Sequence, residues 1–204
     1  MPKVSDAHLT ARRRQILDAA GRCFARDGFH RTSMQDIVHE SGISAGLVYR
    51  YFAGKDEMII AIVNQWHERR QALIEAGQHA TGDANESRDL VAEAYLDLVR
   101  SIGQPQALED LRLGVQVWAE AVRTPAIREL VRRGVDGPRT TAANLISRAQ
   151  GNSAVPADLD PDALARILIA IYQGLVLQTV WDESVDNDAL VATLEAILDM
   201  IIPS

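Results

Sequence analysis

The sequence predicts an all-α fold of about nine helices, because apolar residues recur at a spacing near 3.6 throughout the chain. Period-two alternation, which marks a half-buried strand, is absent from the 204 residues. Glycines and helix-capping side chains divide the apolar pattern into separate segments. Hydrophobic residues make up 47% of the chain, which is enough for a substantial core. We therefore expect a small helical domain over residues 1–54 and a larger one over 55–204.

The first two helices have recognisable start and stop residues. Apolar spacing predicts a helix over about residues 11–27, and Gly28 ends it. Thr32 or Ser33 then caps a second helix, which Gly42 ends. The acidic residue three positions after Ser33 completes a capping box.

The next two helices differ in length. Ser44 caps a third helix that lasts only to about Tyr51 or Phe52. Gly54 is the N-cap of a fourth helix, which continues to about Ala76. The short third helix follows the second after a turn of three or four residues, which is the arrangement of a helix-turn-helix.

Later boundaries follow from proline and from polar segments. Thr124-Pro125 and Asp160-Pro161 each have the pattern of an N-cap followed by proline at the first helical position. The last two helices are predicted at 161–181 and 187–202. Three non-helical segments are predicted at 81–87, 103–106 and 151–160.

Charge is unevenly distributed along the chain. The formal net charge is −7 at pH 7. Residues 1–60 carry nine basic and seven acidic side chains, whereas residues 61–204 carry twelve basic and twenty-one acidic ones. A mildly basic head on an acidic body can meet DNA with one end and repel it with the other.

Several protein classes are disfavoured. Cys23 is the single cysteine, so we expect neither a disulfide nor a multi-cysteine metal site. The N-terminus lacks the apolar segment of a signal peptide, and we expect a cytoplasmic protein. The apolar segment 164–181 contains Arg166, Gln173 and Gln178, so we interpret it as a buried helix and not as a membrane span. Nucleotide-binding, hydrolase and metalloprotease motifs are absent, and we expect no catalytic residue, metal or cofactor.

The third helix separates into two faces when its residues are placed at 100° intervals. Val48 and Phe52, with part of Tyr51, form the side that packs on the core. The outward face consists of Ala45, Gly46, Tyr49 and Arg50. Small residues at the start of this face allow a close approach, and an arginine can bond O6 and N7 of guanine in the major groove. The alternative is that this segment is only a helix end packed on the fourth helix.

Residues flanking the third helix suit phosphate contacts. Thr32 and Ser33 lie at a helix start, where free N–H groups and the helix dipole favour an anion. Lys55 lies at the next helix start, an unusual place for a cation without an anionic partner. The arginines at 12–14, with Arg14 among them, begin the first helix and can reach the DNA backbone.

Residues 16–58, ILDAAGRCFARDGFHRTSMQDIVHESGISAGLVYRYFAGKDEM, resemble the N-terminal domain of the tetracycline-repressor (TetR) family of bacterial transcriptional regulators. The matching pieces, in order, are ILDAA, F-x-x-x-G-F-x-x-T-S, the apolar Asp36-Ile37-Val38, Gly42-Ile43-Ser44 and Y-x-Y-F-x-x-K-D-E. The resemblance implies an all-α homodimer with a small DNA-binding domain and a larger effector-binding domain. It also implies that the effector moves the fourth helix and thereby releases the DNA.

The resemblance implies a set of DNA contacts, residue by residue. Two positions depart from the family pattern. Leu47 replaces a frequent Thr or Ser, which puts the operator sequence in doubt and suggests contact with a thymine methyl. Gly54 replaces a frequent Ser or Asn cap. The implied contacts are Thr32, Ser33, Ser44, Ala45, Gly46, Tyr49, Arg50, Tyr51 and Lys55.

The resemblance also implies that the last two helices pair with their copies in a dimer. Small residues four apart in the first of them permit close crossing of helices, and apolar residues of the second form a wide stripe. The alternative is that both helices are interior to a monomer. The interface residues we predict are Ala170, Gly174, Leu177, Leu194, Ile197, Leu198 and Ile201.

An effector pocket is predicted from aromatic residues on four different helices, accompanied by one amide. The alternative is that these side chains belong to the core. The predicted pocket residues are Trp66, Tyr95, Trp118, Tyr172 and Gln173. The stretch LRLGVQVWAEAVRTPAIREL (111–130) is similar to C-terminal regions of a TetR subgroup that includes regulators of choline-betaine metabolism.

The functional prediction is a transcriptional repressor that a small molecule releases from a palindromic operator in double-stranded DNA. An activator would share the same residues. A rival hypothesis is an all-α protein that binds or converts small molecules and has no specific DNA binding. No membrane partner is expected.

Overall fold

The computed structural model describes residues 6–78, 92–93, 95–104, 107–151, 155–182 and 184–201. All regular secondary structure within these residues is helical, which confirms the all-α class. The helices are α1 (Asp6–Asp27), α2 (Met34–Ser41), α3 (Ala45–Tyr51), α4 (Lys55–Gln78), α5 (95–100, followed by a 3₁₀ turn at Ser101–Gly103), α6 (Ala107–Arg123), α7 (Pro125–Gly151), α8 (Pro161–Trp181) and α9 (Asn187–Ile201).

Local signals place most helix ends where the sequence predicts them. Ser33 is the N-cap of α2, and Gly42 ends that helix with a left-handed φ of 65°. Asp160 caps α8 by accepting a 2.7 Å hydrogen bond from the backbone N–H of Ala163, and Pro161 occupies the first helical position.

The predicted start of α1 differs from the structure, and the predicted non-helical segments are only partly described. Helix α1 begins at Asp6 and not near residue 11. Residues 8–10 are exposed, so no apolar repeat marks this start. The predicted linker 81–87 lies outside the described residues, as do 105–106 and 152–154. The described remainder of the loop before α8, residues 155–160, is not helical.

The described residues divide into two compact units. The first comprises the chain up to Ala72 together with Arg112–Val131, and the second comprises Leu73–Leu111 with Arg132–Ser204. Helices α4, α6 and α7 therefore each contribute residues to both units. The first unit extends beyond residues 1–54, because parts of these three helices complete its core. A functional boundary at residue 54 stays a prediction.

The core of the first unit positions the short helix α3. Val48 is fully buried and Phe52 is 1% exposed, and both belong to one cluster with apolar residues of α1, α4, α6 and α7. Burying such side chains stabilises a fold by roughly 1.5–3 kcal/mol each. Seven residues would not form a stable helix alone, so packing keeps α3 in place.

Helix α8, in the second unit, is apolar but poorly covered. Only 11% of its most apolar 18-residue window is buried within the chain, so the prediction of a buried helix is wrong for a single copy. By length and composition α8 could cross a membrane. Helices that pack against a partner have the same composition, and Arg166 and Gln178 on the exposed side of α8 are unsuited to lipid.

Candidate nucleic-acid interface and effector region

The first turn of α3 has no hydrogen bond from a capping side chain. Ser44 occupies the N-cap position, and its carbonyl accepts hydrogen bonds from the N–H groups of Leu47 and Val48. The hydroxyl of Ser44 makes no capping bond, which corrects the prediction that this side chain caps the helix. Because Ser44 is exposed, its hydroxyl can donate to another acceptor, such as a phosphate oxygen.

The predicted outward face of α3 is exposed as expected. Tyr49 is 53% exposed, and Ala45, Gly46 and Arg50 are also exposed. A methyl group added at Gly46 would meet no atom within 4 Å among the described residues. The face therefore combines a flat beginning with a phenol and a guanidinium, which suits an approach to base edges in a major groove.

The inward face of α3 contains one more residue than predicted. Leu47 and Tyr51 are partly buried and pack against the same cluster as Val48 and Phe52. Leu47 is therefore partly a packing residue, and its expected role at a thymine methyl loses support. The guanidinium of Arg13 lies 5.2 Å from the centre of the Phe52 ring, a cation–π contact.

The start of α2 is held by a complete capping box. The backbone N–H and the hydroxyl of Ser33 each donate to Oδ2 of Asp36 at 2.7 Å, and the N–H of Asp36 donates to Ser33 Oγ at 3.2 Å. These bonds from Ser33 hold the pKa of Asp36 below its usual range. The carboxylate already supplies negative charge at this helix start, so the predicted phosphate contact by the Ser33 hydroxyl would have to compete with it.

Thr32 is not available to DNA through its side chain. The residue is 1% exposed, and its hydroxyl lies 2.9 Å from the carbonyl oxygen of Gly28 and 3.2 Å from that of Cys23, to which it donates. The hydroxyl closes the turn after α1, and in this arrangement it is not free for the predicted phosphate contact. Gly28 itself has a φ of 81°, which favours glycine.

Lys55 binds backbone carbonyl groups of the segment between α1 and α2. Its ammonium group donates to the carbonyl oxygens of Phe29 at 2.7 Å, Thr32 at 2.6 Å and His30 at 3.4 Å. The same nitrogen lies 4.8 Å from the centre of the Phe29 ring. An ammonium has three donors, so these carbonyls supply the partner that the sequence analysis expected from DNA.

Ion pairs hold α2 against α1. Glu40 accepts from Arg22 at 2.8 Å and from Arg26 at 3.5 Å. These arginines, chiefly Arg22, keep the pKa of Glu40 below its usual range. Arg14, on the same helix, is exposed, as its predicted phosphate contact requires.

An apolar cavity of about 70 Å³ lies in the second unit. Among the described residues that line it, Tyr95 alone carries a hydroxyl, and that hydroxyl donates to the carbonyl oxygen of Leu168 at 2.6 Å. Burial raises the pKa of Tyr95 to about 12. The remaining wall is aliphatic and comes from residue 92, α7, α8, α9 and Val155: Ala92, Leu145, Ile146, Ala149, Val155, Leu164, Ile167, Leu168, Ile171, Leu194, Ile197 and Leu198.

The five predicted pocket residues do not converge on this cavity. Tyr95 lines it, but Trp66 packs on the core of the first unit. Trp118 also belongs to the first unit. Tyr172 and Gln173 lie on α8 outside the lining. Periodicity cannot assign such residues, because it does not reveal which side of a helix meets which neighbour.

The predicted dimer residues separate into two groups. Leu194 and Leu198 are buried within their own unit and line the cavity, so they are core residues in the single chain. Ala170 is exposed, and no described atom lies within 4 Å of a methyl group built at Gly174. Leu177 is half-buried. The side chain of Ile201 lies outside the described part of the structure.

Helices α8 and α9 expose four further apolar residues, of which Ile197 was predicted at the interface and the other three were not. Trp181 on α8 and Met200 on α9 are each 74% exposed, whereas Ile167 on α8 is 55% exposed and Ile197 on α9 is 40% exposed. At helical spacing, Ile167 and Trp181 share the face of α8 that carries Ala170 and Gly174. Their exposure, and not their spacing alone, identifies this face.

Two family models match the chain. The model described as bacterial regulatory proteins of the tetR family matches residues 16–62. The model described as the C-terminal domain of BetI-type transcriptional repressors matches residues 92–203, which is more than half of the chain.

Similar proteins are named as transcriptional regulators. The HTH-type transcriptional repressor Rv1474c of Mycobacterium tuberculosis is 28% identical over 202 residues, covering 98% of this chain and 96% of that protein. The HTH-type regulator YfiR of Bacillus subtilis is 47% identical over 62 residues, 30% of each chain. A transcriptional regulator from Saccharomonospora viridis, solved in complex with choline, has a TM-score of 0.79 and 26% identity, covering 95% of this chain and 98% of its own.

The chain, which presents the exposed face of α3, therefore belongs to the TetR family as a DNA-binding transcriptional repressor, and its ligand-binding C-terminal domain is of the BetI type.

Proposed function

We propose that the protein acts in the cytoplasm as a homodimer that binds a palindromic operator and leaves it when a small effector occupies the second unit. Two copies of α3 would enter successive major grooves about 34–36 Å apart, as two-fold helix-turn-helix dimers do. The relatives are named as regulators, and we propose no catalytic role for the chain.

The outward face of α3 is the observation that carries this proposal. Arg50 would read a guanine, and Tyr49 would lie beside it in the groove. Contacts to the DNA backbone would come from the exposed groups around α3, and the buried side chain of Thr32 and the occupied ammonium of Lys55 would not take part. The proposed contacts are Arg14, Ser33, Ser44, Ala45, Gly46, Tyr49, Arg50 and Tyr51.

A second copy of the chain is the partner that we propose for α8 and α9. Exposed apolar residues cluster on these two helices, and the small residues Ala170 and Gly174 would let two copies of α8 cross closely. Burying Ile167, Trp181, Ile197 and their symmetry copies would remove a contiguous apolar surface from water. Leu177 would join this interface, and Leu194 and Leu198 would support it from inside.

The proposed effector is uncharged and largely apolar. The aliphatic walls of the cavity and the satisfied hydroxyl of Tyr95 support this choice. Quaternary ammonium groups are usually held by aromatic cages, and a single tyrosine does not form one. The cavity is smaller than the roughly 300–1,000 Å³ of typical small-molecule sites, so an effector would have to widen it. Widening would couple occupancy to movement of the surrounding helices.

Selection of DNA from a random-sequence library tests the proposed function. The protein should enrich a palindromic site, and the logarithm of its affinity should fall with the logarithm of salt concentration by about 0.9 per phosphate neutralised. Choline and 1-hexanol, added separately, would then show which chemistry releases the DNA. Failure to enrich any sequence would favour the rival hypothesis of a small-molecule-binding protein without specific DNA binding.

A further inference from the structure

The connection between α1 and α2, residues 28–33, is held from outside by side chains of two other helices. Its own bonds are the N–H of Thr32 to the carbonyl of Gly28 at 3.2 Å and the Thr32 hydroxyl described above. From α4, Lys55 binds three of its carbonyl groups. The connection ends at Ser33, the N-cap of α2, so its position determines where the helix-turn-helix begins.

The second contact that fixes the connection comes from a buried carboxylate on α6. Glu120 is 7% exposed, and its Oε2 lies 3.0 Å from Nε2 of His30 in the connection. Its Oε1 accepts a 2.5 Å hydrogen bond from the hydroxyl of Thr124. A buried carboxylate is costly unless its oxygens are bonded, and here each oxygen has a partner.

The contacts of His30 identify the nitrogen that bears the proton. Nη1 of Arg123 lies 3.1 Å from the same Nε2 that faces Glu120. One ring nitrogen can donate to the carboxylate or accept from the guanidinium, but not both. A buried carboxylate oxygen without a donor costs more free energy than an exposed guanidinium without an acceptor. We therefore assign the proton to Nε2.

Both holding helices are shared between the two compact units. Residues of α4 up to Ala72 and residues of α6 from Arg112 onward belong to the first unit, and the rest of each helix belongs to the second. No local sequence pattern reveals this role, because His30 and Glu120 are ninety positions apart and match no motif.

We infer that Glu120 is a positioning residue for DNA recognition. It acts through its bond to His30, which lies in the connection between α1 and α2. This inference rests on the proposed function of the protein as a repressor. With the Glu120–His30 bond in place, α2 and α3 keep one orientation relative to α6. Without it, the connection loses its bonded contact with α6 and keeps only its own bonds, the packing of Phe29 and the contacts of Lys55, and the two recognition helices of a dimer lose their fixed spacing.

Comparison of Glu120→Gln with Glu40→Gln tests the inference. Both variants neutralise a carboxylate of the first unit and keep its shape, but Glu40 pairs only with Arg22 and Arg26 on α1. We expect Glu120→Gln to speed hydrogen exchange about tenfold at the amides of residues 29–37 in the free protein. We also expect its preference for the selected DNA site over scrambled DNA to fall about tenfold, while affinity for scrambled DNA is retained.

Two further results complete the test. The double variant His30→Asn with Glu120→Gln should behave like either single variant, because both substitutions weaken the same contact. Equal exchange and equal preference in Glu120→Gln and Glu40→Gln, at matched folded fraction, would overturn the inference. If the unmodified protein selects no DNA site, the repressor function fails, and the exchange measurement still decides whether Glu120 holds the connection.

Discussion

At the residue scale, the same side-chain chemistry can serve DNA or the protein's own backbone. Thr32 and Lys55 lie at positions that suit phosphate contacts, yet both bond carbonyl groups of the α1–α2 connection. Arg50, in contrast, is exposed and has no bonded partner among the described residues. Solvent exposure therefore separates side chains that can read DNA from those that shape the head.

Replacing Arg50 with alanine should weaken operator binding by about 1–3 kcal/mol and relax specificity at one operator position. The reason is that a bidentate contact to guanine discriminates among bases. Binding of single-base operator variants would measure this change. Arg14→Ala provides the control, since loss of a phosphate contact should weaken all variants about equally. Equal profiles for the two variants would show that Arg50 does not read a base.

Replacing Lys55 with methionine should lower the free energy of unfolding by about 1–3 kcal/mol, because hydrogen bonds to a charged donor are lost and three carbonyl groups lose a partner. Urea denaturation would measure the change. Arg31→Met removes an exposed charge from the same connection and should leave stability nearly unchanged. Unaltered stability of Lys55→Met with weaker binding to every DNA sequence would instead restore the phosphate contact predicted from the sequence.

At the element scale, α3 depends on the core behind it and on a flat surface in front. Val48 and Phe52 anchor the helix, and Leu47 and Tyr51 add partial burial. The first turn of α3 carries the small, exposed residues Ala45 and Gly46. Packing and recognition thus use opposite faces of the same two turns, and a substitution can affect one face without the other.

Replacing Gly46 with leucine should keep or raise stability but lower operator affinity at least tenfold. Glycine within a helix costs roughly 0.5–1 kcal/mol relative to a better helix former, and the added side chain begins in open space. The same side chain would block close approach to DNA. Thermal unfolding and DNA titration would be measured together. Gly114→Leu on α6, also open at Cβ, is the control; unchanged operator affinity of Gly46→Leu would remove this turn from the interface.

At the scale of the whole molecule, the main feature to explain is the exposed apolar surface of α8. Its apolar surface is large, and little of it is buried in one copy. An isolated protein with such a surface would tend to associate. A two-fold dimer both covers this surface and supplies the second recognition helix that a palindrome requires.

Replacing Gly174 with arginine should produce a folded monomer that binds operator DNA at least a hundredfold more weakly. The Cβ of the new side chain would meet no described atom within 4 Å in the single chain, whereas its guanidinium would place a charge within the proposed interface. Sedimentation velocity and circular dichroism would report mass and folding. Asn144→Arg, on an exposed part of α7, should remain dimeric. A dimeric Gly174→Arg protein would exclude this face of α8 as the interface.

Local pattern was sufficient for most helix ends and for the outward face of α3, but not for the start of α1 or the cap of α3. Capping residues, glycine ends and the 3.6-residue repeat act within one or two turns, so Ser33, Gly42 and Asp160 could be assigned from the sequence. The exposed positions Tyr49 and Arg50 followed from the same repeat once Val48 was placed inside.

Contacts between distant parts of the chain were decided only by the tertiary structure. Lys55 meets carbonyl groups 23 to 26 positions away, and Glu120 meets His30 ninety positions away, so no local pattern reveals either pair. Leu194 and Ile197 both belong to the apolar stripe of α9, but one is buried and the other exposed. A helix repeat specifies which residues share a face, whereas the direction of that face depends on the neighbours that the fold brings to it.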